Sequence, residues 1–192
     1  MQRGMAYTMD IRLEQALTAL AAQHELTALT RDAKAISENY RLRTGTGKRL
    51  LTREGEAAAY AASRMPATYA AAQQALAWAL DCVGVQIHTL LDCGAGTGAV
   101  SWAADSLLEL EAVTCLEREA AMRAVGRELM LSGGGALSEA VWQEWDALCG
   151  AALPQADLVC EGYMLGELSE ENRLPAAERI FAAAGKMALF IE

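Results

Sequence analysis

The chain has 192 residues, enough for one ordinary domain with an extension, and its 53% apolar content supports a sizeable core. There is no apolar run of roughly 18 residues, and the opening MQRGMAYTMD lacks the apolar centre of a signal peptide, so no membrane span and a cytoplasmic location are expected. The net charge of −9 is uneven: residues 1–80 carry ten Lys/Arg against seven Asp/Glu, and residues 81–192 six against eighteen, which makes the second part a poor unaided nucleic-acid binder.

The first 80 residues read as a helical extension. In 10–23, Ile11, Leu13, Ala16, Leu17 and Leu20 form one helical stripe that Asp10 can cap. A second helix is predicted over 27–42, with Leu29, Ala33 and Ile36 apolar. Arg41, Arg43, Lys48, Arg49 and Arg53 then crowd together, either as a phosphate-contacting patch or as a solvated loop and helix face. The Gly-Lys within this stretch lacks P-loop spacing. A third helix is predicted over 52–64 and a fourth over 67–80, divided at Met65-Pro66 because proline cannot continue a helix.

Residues 81–192 alternate strand and helix. Strands are predicted at 87–92, 112–117, 140–146, 157–161 and 186–191, and helices at 97–109, 118–130 and 171–184, with a flexible Ser132–Gly135 connection. That alternation implies an α/β fold, a Rossmann-like, mostly parallel sheet with right-handed crossovers and helices on both faces.

The segment HTLLDCGAGTGAVSWAA, from His88 to Ala104, is strand, glycine turn and helix in succession. Such a turn lets a ligand approach backbone N–H groups and a helix N-terminus. Gly94, Gly96 and Ala99 satisfy the dinucleotide pattern of NAD-dependent oxidoreductases. However, Asp92 two residues before the first glycine, with Gly94, Gly96 and Gly98 alternating, looks like the first motif of S-adenosylmethionine-dependent methyltransferases. Ala95 and Thr97 complete the turn. Glu117, at the end of the second strand, is placed to accept from both ribose hydroxyls, or serves as a helix N-terminal acid. Arg118 adjoins it. Asp146, after Trp145, can accept from an adenine amino group or cap a short helix. Glu161, with Gly162 and Tyr163, ends the fourth strand, where methyl group and acceptor should meet. No Asn/Asp-Pro-Pro-aromatic sequence stands there, and Cys160 lies inside the strand, so no base or nucleophile is assigned. Methyl transfer can proceed by proximity and alignment alone.

None of the five cysteines sits in a C-x-x-C pair; Cys93, Cys115 and Cys160, in or at the ends of predicted strands, read as small buried apolar residues in a reducing compartment, and no metal site is expected.

Four pieces occur in order: Arg64-Met65-Pro66-Ala67-Thr68-Tyr69, LLDCGAGTGAVSWAA, Leu116–Leu129, and DLVCEGYMLGEL from Asp157 to Leu168. Together they resemble the methyltransferase-like proteins of the mitochondrial small ribosomal subunit and their bacterial relatives, over about residues 10 to 192. The resemblance implies a class I adenosylmethionine-binding fold and a role near small-subunit ribosomal RNA, in methylation or assembly; the lack of an assigned catalytic group after the fourth strand sets beside this a non-catalytic assembly factor that keeps the cofactor fold as a scaffold. It puts the cofactor loop at Gly94–Gly98, the ribose acid at Glu117, and Arg64–Tyr69 near the pocket mouth. Family members continue past the fifth strand into a cysteine-bearing region similar to an iron–sulfur or zinc site. The sequence stops before it, so metal binding is not carried over, and the sheet is expected to lack its last hairpin and show an open edge.

Overall fold

The computed structural model describes residues 8–43 and 53–192. Helix α1 (Ile11–Ala22) begins at Asp10, whose side chain accepts the Arg12 amide, and it buries Leu13, Ala16, Leu17 and Leu20. Helix α2 (Leu26–Arg43) contributes Leu29 and Ile36 to the same core. Most of the basic 41–53 stretch lies outside the described residues. Arg53 is described, and it pairs with Glu56.

Helix α3 (Glu54–Cys82) is continuous for 29 residues and carries Pro66 in its interior. This corrects the break expected at Met65-Pro66. An interior proline costs about 3 kcal/mol. Met65, Tyr69, Ala72 and Leu76, all fully or almost fully buried, continue the apolar stripe across it, and burial of such side chains at roughly 1.5–3 kcal/mol each outweighs that local cost.

Five strands, β1 (Thr89–Cys93), β2 (Ala112–Glu117), β3 (Val141–Glu144), β4 (Ala156–Gly162) and β5 (Ala184–Ile191), form one sheet in the order β3-β2-β1-β4-β5. Every pairing is parallel. The connecting helices are α4 (Ala99–Asp105), α5 (Ala120–Leu131), α6 (Gly135–Ser138) and α7 (Glu170–Ala182). Alpha-helical α6 replaces part of the expected flexible link. β3 ends at Glu144, two residues short of expectation, because Trp145 turns inward and its amide bonds the Glu117 carbonyl.

The sheet is covered on both sides. On one, Leu90, Val113, Cys115, Leu158 and Cys160 pack with α1 to α6 around fully buried Trp102. On the other, Leu91, Cys93, Leu116 and Val159 meet Ile180 and Ala183 at the end of α7. Arg12 ties α1 to this body: it pairs with Asp10 and Asp105, and its guanidinium carbon lies 5.6 Å from the Trp102 ring centre. Cys93, Cys115 and Cys160 are buried on adjacent strands, whereas Cys82 and Cys149 are exposed. Among the described residues no helix is long and apolar enough to cross a membrane, and no three His, Cys, Asp or Glu side chains cluster as metal ligands.

Candidate functional site

Strand order reverses between β1 and β4, and in open parallel sheets ligands bind outside the carboxyl ends at that point. A cavity of about 470 Å³ lies there, within the range of small-molecule sites. β1 leads into Gly94 and Gly96, the end of β2 supplies Glu117 and then Arg118, the end of β4 Gly162 and then Tyr163, and β5 leads into Glu192. Helix α3 forms the facing wall with Tyr60, Arg64, Ala67 and Thr68, spaced so that they share one helical face.

Gly94, Gly96 and Gly98 all have positive φ, between 59° and 89°, which is why three glycines alternate here. The turn is held from within. The Gly94 and Ala95 amides both donate to the Leu116 carbonyl, and the Gly98 amide to the Ala95 carbonyl. The Gly96 amide donates to Glu117 Oε2 at 2.9 Å. Glu117 Oε1 accepts the Glu119 amide at 2.8 Å. Burial raises the Glu117 pKa, while the two amides pull it back. Each carboxylate oxygen keeps a second acceptor site.

Of the ten residues singled out from sequence, Gly94, Gly96, Glu117, Arg118 and Asp146 line the cavity. Arg118 Nε lies 3.3 Å from Glu119 Oε1. Asp146 Oδ1 accepts the Leu148 amide in a turn, so no helix is capped there. The other five stand behind the wall. Asp92 is fully buried and its Oδ2 accepts the Ser101 amide and hydroxyl, clamping the first turn of α4; burial pushes its pKa up to about 6. Ala95 is buried, and Thr97 Oγ1 reaches Met65 Sδ at 3.4 Å. Gly98 packs towards Met130 and Trp142. Glu161 is fully buried, and its Oε1 accepts the Met164 and Leu165 amides; burial pushes its pKa up to about 7.

Sequence spacing missed the α3 wall as chemistry, although the resemblance had placed Arg64–Tyr69 near the mouth. It also missed Met122 beneath Gly96, with Met122 Cε 3.6 Å from where a Gly96 Cβ would stand, and Met164, packed on Gly94. Tyr163 adopts φ +63°, unusual for an aromatic residue, and is half-exposed at the mouth. Tyr60 is held neutral, its hydroxyl pushed up to about 12 by burial.

Five carboxylates line the cavity, from Glu117, Glu119, Asp146, Glu167 and Glu192, against two guanidinium groups, from Arg64 and Arg118. The lining therefore favours a ligand carrying positive charge.

Residues 54–192 match the family described as mitochondrial small ribosomal subunit Rsm22. The chain belongs to the Rsm22 family. No curated protein matches it. Solved structures place this Rsm22-family chain in the class I methyltransferase fold. One, assigned as an S-adenosyl-L-methionine-dependent methyltransferase from Methanococcus maripaludis, is 14% identical with TM-score 0.57 over 74% of this chain and 65% of its own. Magnesium protoporphyrin IX methyltransferase from Synechocystis, solved with S-adenosylmethionine, is 13% identical with TM-score 0.51 over 82% and 74%. A protein of Pyrococcus horikoshii assigned as an RNA methyltransferase is 17% identical with TM-score 0.50 over 79% and 69%. The Rsm22-family chain thus spans just under two thirds of the first of these.

Proposed function

We propose that the chain is an S-adenosylmethionine-dependent methyltransferase that works on the small ribosomal subunit, with ribosomal RNA as acceptor. The observation that carries the cofactor reading is Glu117 on the cavity wall, hydrogen-bonded to Gly96 and with acceptor capacity left for two ribose hydroxyls. Asp92, Ala95, Thr97, Gly98 and Glu161 act in this reading as the frame behind Gly94 and Gly96. Met122, Trp145 and Ala147 supply apolar surface for a purine, and Asp146 an acceptor beside it.

The residues fit an adenosyl donor better than a nicotinamide dinucleotide. A diphosphate needs N–H donors at the turn, yet the amides of Gly94, Ala95, Gly96 and Gly98 are all committed within the protein. A diphosphate would also meet an excess of carboxylates, whereas a sulfonium is favoured by them. When bound, the donor supplies an electrophilic methyl group. The chain's own part is to hold the adenosyl end at Glu117, exclude water with the Tyr163–Leu168 turn, and align the acceptor at the end of β4.

A second reading, a non-catalytic assembly factor with the same cofactor, is favoured by one observation. At the end of β4 the cavity is lined by Gly162, Tyr163 and Met164, while Glu161 is committed to two amides and Cys160 is buried. RNA contact through the basic 41–53 stretch and a cytoplasmic location belong to the proposal. The test is radiolabelled methyl transfer to deproteinised small-subunit RNA from a deletion strain. Reproducible incorporation supports the enzyme; its absence with intact cofactor binding supports the assembly factor. Thermal protection by NAD and not by adenosylhomocysteine overturns both.

A further inference from the structure

The donor named above has one anionic group, the α-carboxylate of its amino-acid end, and an acidic cavity must provide for it. Of the two guanidinium groups lining the cavity, Arg118 already lies against Glu119. Arg64 is placed differently. Its Nη2 donates to a neutral group, the Ser37 hydroxyl of α2, at 3.0 Å. Its side chain is exposed on the α3 wall. The next residue, Met65, is held against the glycine turn by the Thr97 hydroxyl. Thr68, one helical turn on from Arg64, also lines the cavity and brings a second donor to the same face.

We propose that Arg64, steadied by Ser37 and assisted by Thr68, is the carboxylate-binding residue of this cavity and selects donors that carry a free α-carboxylate. The assignment rests on the adenosyl-donor reading. With the ribose at Glu117, the amino-acid end reaches along Gly96 and Gly94 towards the 64–68 turn of α3. The planar guanidinium has donors left after Ser37, arranged as a fork that matches a carboxylate. An uncompensated carboxylate beside Glu117 and Glu167 would be repelled, so the subsite needs this cation.

The test is calorimetric titration of the whole chain with adenosylhomocysteine and with its decarboxylated counterpart. The wild type should prefer adenosylhomocysteine. Arg64→Ala should reduce that preference roughly tenfold to a hundredfold, through weaker adenosylhomocysteine binding, with the decarboxylated ligand affected little. Arg64→Lys, which keeps the charge without the fork, should fall between. An unchanged preference in Arg64→Ala, or equal loss for both ligands, overturns the assignment while leaving the cofactor reading intact. No binding of either ligand by the wild type overturns the cofactor reading and this assignment with it. Unchanged thermal unfolding of the ligand-free variant checks that the exposed side chain was removed without damage to the fold.

Discussion

The Gly96 amide and Glu117 Oε2, 2.9 Å apart, join the middle of the glycine turn after β1 to the end of β2. Glu117 therefore holds the wall of the cavity as well as facing it. Replacing it affects both duties. Glu117→Gln presents an amide N–H to one of two backbone donors, and one of them loses its acceptor. We expect a stability loss of about 1–3 kcal/mol in urea unfolding. Adenosylhomocysteine affinity should fall at least about tenfold by calorimetry. Full affinity in this variant would remove Glu117 from the site.

Gly94 tests the same turn from its other end. A Cβ at Gly94 would lie 2.7 Å from both Cβ and Cγ of Met164, at φ +73°. Gly94→Ala should cost about 1–3 kcal/mol, from backbone strain and overpacking together. Gly84 has nothing within 4 Å of a built Cβ and no positive φ, so Gly84→Ala should be nearly neutral. Adding Met164→Ala to Gly94→Ala should return part of the loss, read as a coupling energy in a double-mutant cycle.

The third prediction concerns pH. Burial raises the Glu161 pKa to about 7 from its ordinary 4.5. A carboxyl that binds its proton more tightly when folded contributes most stability below pH 4.5. That contribution is lost as pH rises to about 7. The fall amounts to about 3 kcal/mol. Asp92, raised to about 6, acts in the same direction over a lower window. Urea midpoints should therefore decline between pH 5 and 7, and less steeply in Glu161→Gln, whose amide oxygen can still accept from Met164 and Leu165. Identical slopes in the two proteins would show that Glu161 titrates as it does in water.

The strand, turn and helix from Thr89 to Asp105 were legible in the residues because their signals are local. Alternating glycines point to a tight turn with positive φ or close approach, and a carboxylate after the second strand has a fixed place relative to them. The α3 wall was not legible from spacing, since Tyr60 and Arg64 stand some thirty residues before the turn they face. Pro66 misled because its local cost is visible in sequence while the burial of Met65 and Tyr69 is a tertiary effect. Asp92 reads as a ligand by position, and its engagement with Ser101 depends on how α4 settles over β1. Tyr163 carried no sequence signal for its positive φ. Its amide bonds the carbonyl of Ile191, on the neighbouring strand β5.

The sulfur atoms have a consequence for how the molecule weathers an oxidising environment. The thiols of the three central strands are pushed upward by burial and stay in their unreactive form. Thiol-directed reagents meet Cys82, at the last residue of α3, and Cys149, in the loop after β3. Neither side chain borders the cavity. Damage at cysteine begins at the periphery, and the thiols behind the glycine turn are reached only once the sheet has opened.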